Sequence, residues 1–378
     1  MNSLTAFGVL VVFGVNLATS DAAVMRKDNL YGPRYRPLWE KGAKTQFTKN
    51  FSPTSLKSMT EKAGFIYENF KLTTEDGYLI NLNRIINPDS VNKKDKGFPL
   101  LLMNGFMMHS DAWVVQKEMD SNIAFVFAAL GYDVWLGDQR GTIRSTGHVN
   151  MSSDAHNQKY WDHAFDEISV YDTSAFIDFI LVQTGYRKLN FMCISLGCTF
   201  HAVLISERPQ YNDKILAAFY FVPLVNNIAR VMDMPVTLQL NFLIGEINTV
   251  SYEDQGIYVI APRLSGIKKE IYHGCIPFAG VAVSLVKQSL HGALHFPPET
   301  VCHLSALSIG GGSTKTAKQI LQVYKEANFA KFDYGRKRNM ELYGQEAPPF
   351  YNVSRITSFV AIYYSDADGF STVEVRGK

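Results

Sequence analysis

The segment Leu189-Asn-Phe-Met-Cys193-Ile-Ser195-Leu-Gly197-Cys-Thr-Phe has the residue types and order of a serine nucleophile and its support. An apolar strand-forming run ends at a serine, a glycine follows closely, and a helix-forming run begins at once. A strand-to-helix turn of this kind lifts the serine oxygen out of the sheet. It also aims the positive end of the helix at the reacting atom, where negative charge would develop. The chemistry implied is attack on an acyl carbon. A second apolar run, Phe98 to Met103, leads into Asn104-Gly105-Phe106-Met107, from which a backbone amide can turn toward the same point. The two oxyanion donors are then the amides of Phe106 and Leu196, whose capacity to donate does not depend on their side chains.

These groups must be held by a sheet, and the chain supplies one. Lys71 to Arg84 reads as two alternating runs around Asp76-Gly77, a tight antiparallel hairpin. Phe98 to Met103, Asp133 to Leu136, Leu189 to Ile194, Ala217 to Val222 and Phe359 to Tyr364 are short, continuously apolar runs that read as fully buried strands. Ile168 to Gln183, Leu196 to Glu207 and Thr314 to Ala327 read as helices. Strand and helix in alternation predict an α/β fold, a mostly parallel sheet with helices on both faces. Between Asn226 and Leu307 the pattern changes to apolar helical stretches broken by Gly and Pro, as in Ile267 to Leu294, which predicts an inserted cap. The chain then divides into a signal peptide (1–20), an N-terminal arm (21–60), the α/β core (61–225), a cap or lid insertion (226–310) and a return to the core that ends early (311–378).

With 47% hydrophobic and 19% charged residues in 378, the chain can bury a large core, and its net charge of +2 carries no basic block that would favour nucleic acid. The apolar run Ala6 to Leu17, followed by Ala18-Thr19-Ser20 or Ser20-Asp21-Ala22 as the cleavage site, reads as a cleavable leader too short to span a bilayer, so secretion or delivery to the lysosome is expected. The sequons at Asn50, Asn150 and Asn352 agree with that route. No membrane span is expected beyond the leader. The Cys and His spacings match no zinc pattern, and no glycine-rich phosphate loop is present, so neither a metal nor another cofactor is expected. Of the four cysteines, a Cys275–Cys302 bridge is favoured, with Cys193 and Cys198 as small buried residues beside the serine.

The chain resembles the eukaryotic acid lipase family, which includes gastric lipase, lysosomal acid lipase and their insect relatives, within the α/β-hydrolases. The resemblance is carried by Thr73 to Tyr78, Asn104 to Trp113, Gly131 to Gly137 with Arg140-Gly141, Tyr160 to Asp162 with Asp166-Glu167 and Tyr171-Asp172. It continues through the Ser195 segment, Arg208 to Asn212, and Phe332 to Gly335 through Pro348-Pro349. It implies that Ser195 is the nucleophile, that Phe106 and Leu196 supply the oxyanion amides, and that Asp368 is the acid that orients the catalytic histidine. The sequence departs from the family at Asn104, Ile194, Leu196 and Cys193, where the family has histidine, histidine, glutamine and glycine. The family's general-base histidine follows the acid, whereas the last of the nine histidines here is His303. Ser371-Thr-Val-Glu374 has capping-box spacing, so the chain as given is read as ending one turn into a helix. Two functions are carried forward. One is a secreted ester hydrolase of neutral lipids, impaired or incomplete without its base, with interfacial contact through the cap. The other is a non-catalytic relative that binds lipid.

Overall fold

The computed structural model describes residues 55–90, 97–116, 121–225, 236–260, 302 and 310–363. Its strands are β1 (Ile66–Thr73), β2 (Tyr78–Ile86), β3 (Pro99–Met103), β4 (Asp133–Asp138), β5 (Gly147–His148), β6 (Leu189–Ile194), β7 (Ile215–Phe221) and β8 (Phe359–Tyr363). They form one sheet in the order β1-β2-β4-β3-β6-β7-β8, with β5 paired to β2. β1 and β2 make the antiparallel hairpin, Thr73 opposite Leu79, and β2 joins β4 antiparallel. From β4 through β3, β6, β7 and β8 every pairing is parallel. The hairpin turn needs Gly77, whose φ of +94° lies in the left-handed region that side chains avoid.

Seven helices of seven residues or more are described: α1 (Leu56–Lys62), α2 (Ile123–Ala129), α3 (Ser174–Thr184), α4 (Leu196–Glu207), α5 (Val236–Asp254), α6 (Thr314–Glu326) and α7 (Arg336–Tyr343). Alternate side chains of a strand point to opposite faces, and here both faces are apolar. Leu101, Met103, Trp135, Phe191 and Cys193 face a core shared with Phe176 and Ile180 of α3, Phe200 and Leu204 of α4, and Ile320 and Val323 of α6. Leu100, Leu102, Val134, Leu136, Met192 and Ile194 face a second core with Leu56 and Met59 of α1 and Phe125 of α2. The continuous apolar runs thus reflect a sheet covered on both sides.

One buried cation joins the elements at the carboxyl end of β4. The Arg140 side chain has no solvent exposure. Its Nε and Nη2 donate to Asp172 Oδ1 at 2.8 and 2.6 Å, its Nη2 donates to Asp76 Oδ1 at 2.8 Å, and its own amide donates to Asp172 Oδ2 at 2.7 Å. The guanidinium lies 3.8 Å from the centre of the Tyr78 ring. Burial alone would make the cation easier to deprotonate, but Asp172 and Asp76 more than offset this and hold it charged. The hairpin turn, the end of β4 and the π-helical turn Ile168–Thr173 are tied together by this group.

The hairpin, the parallel sheet and the helices on both faces agree with the sequence reading, and β6 and α4 have the expected bounds. The last strand differs: expected to be fully buried, β8 has Phe359 64% and Ile362 55% exposed. It lies at the end of the sheet order and, among the described residues, is paired on one side only, by β7. Within the stretch read as a cap, α5 packs on α6 through Phe242 and Tyr324, whose ring centres are 4.7 Å apart, and through the ion pairs Lys325–Glu246 and Lys318–Glu253. The leader, the apolar stretch Ile267 to Leu294 and the capping box at Ser371 lie outside the described residues. Among the described residues no helix is long and apolar enough to cross a membrane.

Replacing Arg140 with Met leaves two carboxylates without their buried partner, and a loss of about 3–5 kcal/mol of unfolding free energy is expected. Asp76→Asn should cost less, because that carboxylate keeps 26% of its side-chain exposure. Urea unfolding of the two variants beside the wild type checks both the size and the order; a smaller loss for Arg140→Met than for Asp76→Asn would contradict the assignment.

Candidate active site

β3 has β4 on one side and β6 on the other, so the chain segments leaving the carboxyl ends of β3 and β6 part from each other. A crevice opens at such a switch point. Both sequence-predicted segments lie there, since Met103 and Cys193, near the two strand ends, are register partners. Ser195 sits directly between β6 and α4 with φ 52° and ψ −122°. Its amide donates to Phe221 O of β7 at 2.9 Å, and its carbonyl accepts from Cys198 N at 3.0 Å in the first turn of α4. The side chain is half-buried. Among the described residues, no side chain is hydrogen-bonded to Ser195 Oγ.

Close backbone approach assembles the rest. A Cβ on Gly197 would come 2.6 Å from Met103 O and 2.8 Å from Asn104 O, so only glycine lets α4 abut the end of β3 this tightly. A Cβ on Gly105 would lie 3.3 Å from Ser195 Cβ, which puts the loop carrying Phe106 against the serine. Leu196 is the first residue of α4, where amides have no acceptor within the helix. The structure therefore brings Ser195, Leu196 and the Gly105-Phe106 loop together. Asp368 and Asn50 lie outside the described residues; Asn150 and Asn352 are exposed, remote sequons.

Three non-glycine residues at these strand ends have positive φ: Met107 after β3, Ser195 after β6 and Val222 after β7, at 60°, 52° and 50°. For a β-branched residue such as Val222 this is a strained conformation, held by its amide donating to Tyr363 O at 3.0 Å. Several residues that position the site escaped the sequence reading. Gln139 Nε2 donates to Gly105 O at 3.0 Å and Asn104 Nδ2 to Gly137 O at 2.8 Å, fastening the loop after β3 to β4. Gly310 donates to Met107 O at 2.9 Å, and a Cβ on Gly312 would meet the Phe106 ring at 2.9 Å. The run Gly310-Gly311-Gly312 was the available signal: three adjacent glycines after the cap stretch imply close packing.

The cysteines correct an expectation. Cys193 and Cys198 are buried but not free thiols: they are disulfide-bonded to each other, their Cα atoms 5.1 Å apart. The turn at Ser195 folds α4 back onto the face of β6 that carries Cys193, which brings the two side chains together. Cys302 is also disulfide-bonded; Cys275, the partner favoured from the sequence, lies outside the described residues.

Behind the turn, His201 of α4 is fully buried, its Nδ1 2.6 Å from the Tyr220 hydroxyl, and burial pushes its pKa down to about 3. Asp138, at the end of β4, accepts from Ser110 N at 2.6 Å, Ser110 Oγ at 2.9 Å and Asn83 Nδ2 at 2.8 Å, yet burial pushes its pKa up to about 6. No metal-binding group of His, Cys, Asp or Glu occurs among the described residues.

A mostly parallel sheet with a serine in a strained strand-to-helix turn at its switch point defines an α/β-hydrolase. The sequence agrees: residues 56–117 match the partial alpha/beta-hydrolase lipase region, and residues 99–233 match the alpha/beta hydrolase fold. The chain is 31% identical to Lipase 1 of Drosophila melanogaster over 324 residues, covering 85% of this chain and 69% of that protein. It is 28% identical to Lipase 3 of the same fly, covering 82% and 78% of the two chains. It is 27% identical to the putative lysosomal acid lipase/cholesteryl ester hydrolase of Crotalus adamanteus, covering 82% and 76%. The chain belongs to the acid lipase family of α/β-hydrolases.

His201 has a depressed pKa in the fold, so its contribution to stability is complete above its ordinary value of 6.5 and is lost as pH falls toward 3. The slope is about 1.4 kcal/mol per pH unit in that window. Asp138 has the opposite sign: its raised pKa favours the fold below its ordinary 3.8, and that contribution is lost as pH rises through about 6. His201→Gln, which cannot take up the proton, should flatten the acid arm of a Tm-against-pH profile between pH 6.5 and 4. An unchanged acid arm would mean that His201 is not the group that charges on unfolding.

Proposed function

We propose that this chain is a carboxylic ester hydrolase of neutral lipids acting through Ser195, and that it is exported to the cell exterior or the lysosome. The observation that carries the reading is Ser195 at φ 52° between β6 and α4, with the Gly105-Phe106 loop against it. Strain of this kind persists at a site only when the surroundings over-determine it, and it is concentrated here on three neighbouring strand ends. In the proposed reaction Ser195 Oγ attacks the ester carbonyl carbon. The carbonyl oxygen, now anionic, is held by the Leu196 and Phe106 amides and by the positive end of α4. Collapse of this tetrahedral intermediate breaks the bond to the alcohol, which leaves carrying the serine proton. Water then hydrolyses the acyl-enzyme to the free acid and restores the serine hydroxyl. Asp368 would orient the histidine that takes the serine proton. None of the described histidines is hydrogen-bonded to Ser195, and no histidine follows Asp368 in the sequence. The stretch 226–310, from which α5 is described, would act as the cap over an apolar acyl chain. The named relatives act on lipids by their names, which supports the substrate class.

The residues that depart from the family around the turn, Cys193, Ile194 and Leu196 with Asn104, favour a second reading, a family member that binds lipid without hydrolysing it. A fluorophosphonate probe separates the two readings, because stable labelling requires an activated hydroxyl. The natural protein should be labelled at Ser195 and the Ser195→Ala variant should not. A folded natural protein that resists the probe and carries extractable lipid would instead establish the binder.

Export is supported by the leader-like segment and by the sequon at Asn352, where the side-chain oxygen accepts from Ser354 N at 3.1 Å and Ser354 Oγ at 2.5 Å and the residue is exposed. Treatment of the natural protein with an N-glycosidase should lower its mass and convert Asn352 to Asp. Recovery of an unmodified Asn352 peptide as the sole species would remove that site from the proposal.

A further inference from the structure

We propose that the Cys193–Cys198 disulfide is the positioning element of the Ser195 turn, pinning the end of β6 to the first turn of α4; the proposal rests on the reading of Ser195 as nucleophile. The bridge begins two residues before the serine and ends three residues after it. Its two anchors are themselves fixed. Cys193 is locked in the sheet between Met103 of β3 and Tyr220 of β7, and Cys198 is in a helix whose second residue, Gly197, already abuts the carbonyls of β3. Between these anchors lie only Ile194, Ser195, Leu196 and Gly197, so the bridge closes a small ring around Ser195, the one of these four with positive φ. The backbone bonds that hold Ser195, to Phe221 O and from Cys198 N, each fix one side of the turn; the disulfide fixes both sides against each other.

The bridge also explains how the chain tolerates a side chain at 193, where the family it resembles has glycine. The Cys193 side chain is fully buried, and its sulfur is bonded to that of Cys198 in the first turn of α4. Both cysteines have no solvent exposure, so reductant cannot reach the bridge without opening the core. This is a permanent staple. A bridge that served the fold alone would act on global stability. One that positions Ser195 acts on the turn itself, even when the rest of the core is intact.

Peptide mapping of the natural protein without reduction should recover Cys193 and Cys198 in one linked species, unchanged after exposure of the folded protein to millimolar dithiothreitol; recovery as two thiols would overturn the proposal. The variant Cys193→Ala with Cys198→Ala is then compared with wild type by amide hydrogen exchange and by the rate of fluorophosphonate labelling. Exchange in the segment 194–200 should rise at least tenfold while the β1–β2 hairpin is unchanged, and labelling of Ser195 per folded molecule should fall at least tenfold. Faster exchange spread evenly over the core, with labelling unchanged, would reduce the bridge to a general stabiliser and refute the positioning role. If the alanine pair does not fold, Cys193→Gly with Cys198→Ala, which places the family's glycine at 193, takes its position. A wild-type protein that holds the bridge yet resists the probe refutes the nucleophile reading, while the exchange comparison still decides whether the bridge pins the turn.

Discussion

A guanidinium with no access to water organises the carboxyl end of this sheet. Arg140 holds Asp172 and Asp76 at once, and its neighbours in the chain carry that order to the candidate site. Gln139, one residue before it, donates to Gly105 O; Ile143, three residues after it, donates to Gly310 O, and Gly310 donates to Met107 O. The loop after β4 is therefore clamped at its root and clasps the loop after β3 from two directions. A buried ion pair of this kind adds little net stability over an apolar replacement, because desolvation consumes most of the attraction. Its value here is directional: two carboxylates and five donors accept few arrangements, so the loops that depend on them are fixed.

Rigidity of this kind is what the turn at Ser195 requires. A serine at positive φ, a β-branched valine at positive φ and a methionine at positive φ stand on adjacent strand ends, and each costs conformational energy that the surroundings must offset. The surroundings do so by close contact: Gly197 against the β3 carbonyls, Gly105 against Ser195, Gly312 against the Phe106 ring, and a disulfide across the turn. These approaches leave no room for repacking, which is how a protein interior holds strained backbone without letting it relax.

The same burial has a consequence for acid conditions. His201 and His163 are both enclosed as neutral rings, the second with its pKa held well below the ordinary value by burial and by the Arg140 and Lys315 charges. Both oppose stability as pH falls, while Asp138 works in the other direction. Which side prevails at a given pH is set by which of these buried groups would change its charge there on unfolding.

Much of the architecture was legible because it depends on local pattern. Continuous apolar runs require a sheet covered on both faces, Asp76-Gly77 requires a turn, and Leu189 to Glu207 reads as strand, serine and helix to the residue. The exposure of β8 was not legible, because an apolar run does not state how many neighbours its strand will have. The pairing of Cys193 with Cys198 was not legible either: five residues apart in sequence, they meet only because the turn reverses the chain onto the face of β6 that carries Cys193. Nor could Gln139 or Gly310 be recognised as parts of the site, since their contacts cross 34 and about 200 residues of chain. The sequence by itself determined the fold class, the serine and the elements that present it, since these follow from periodicity and residue type over a few turns. Only the tertiary structure decided which loops meet at the serine, which cysteines join and which ionisable groups lose their water, because those follow from contacts between segments that local pattern does not bring together.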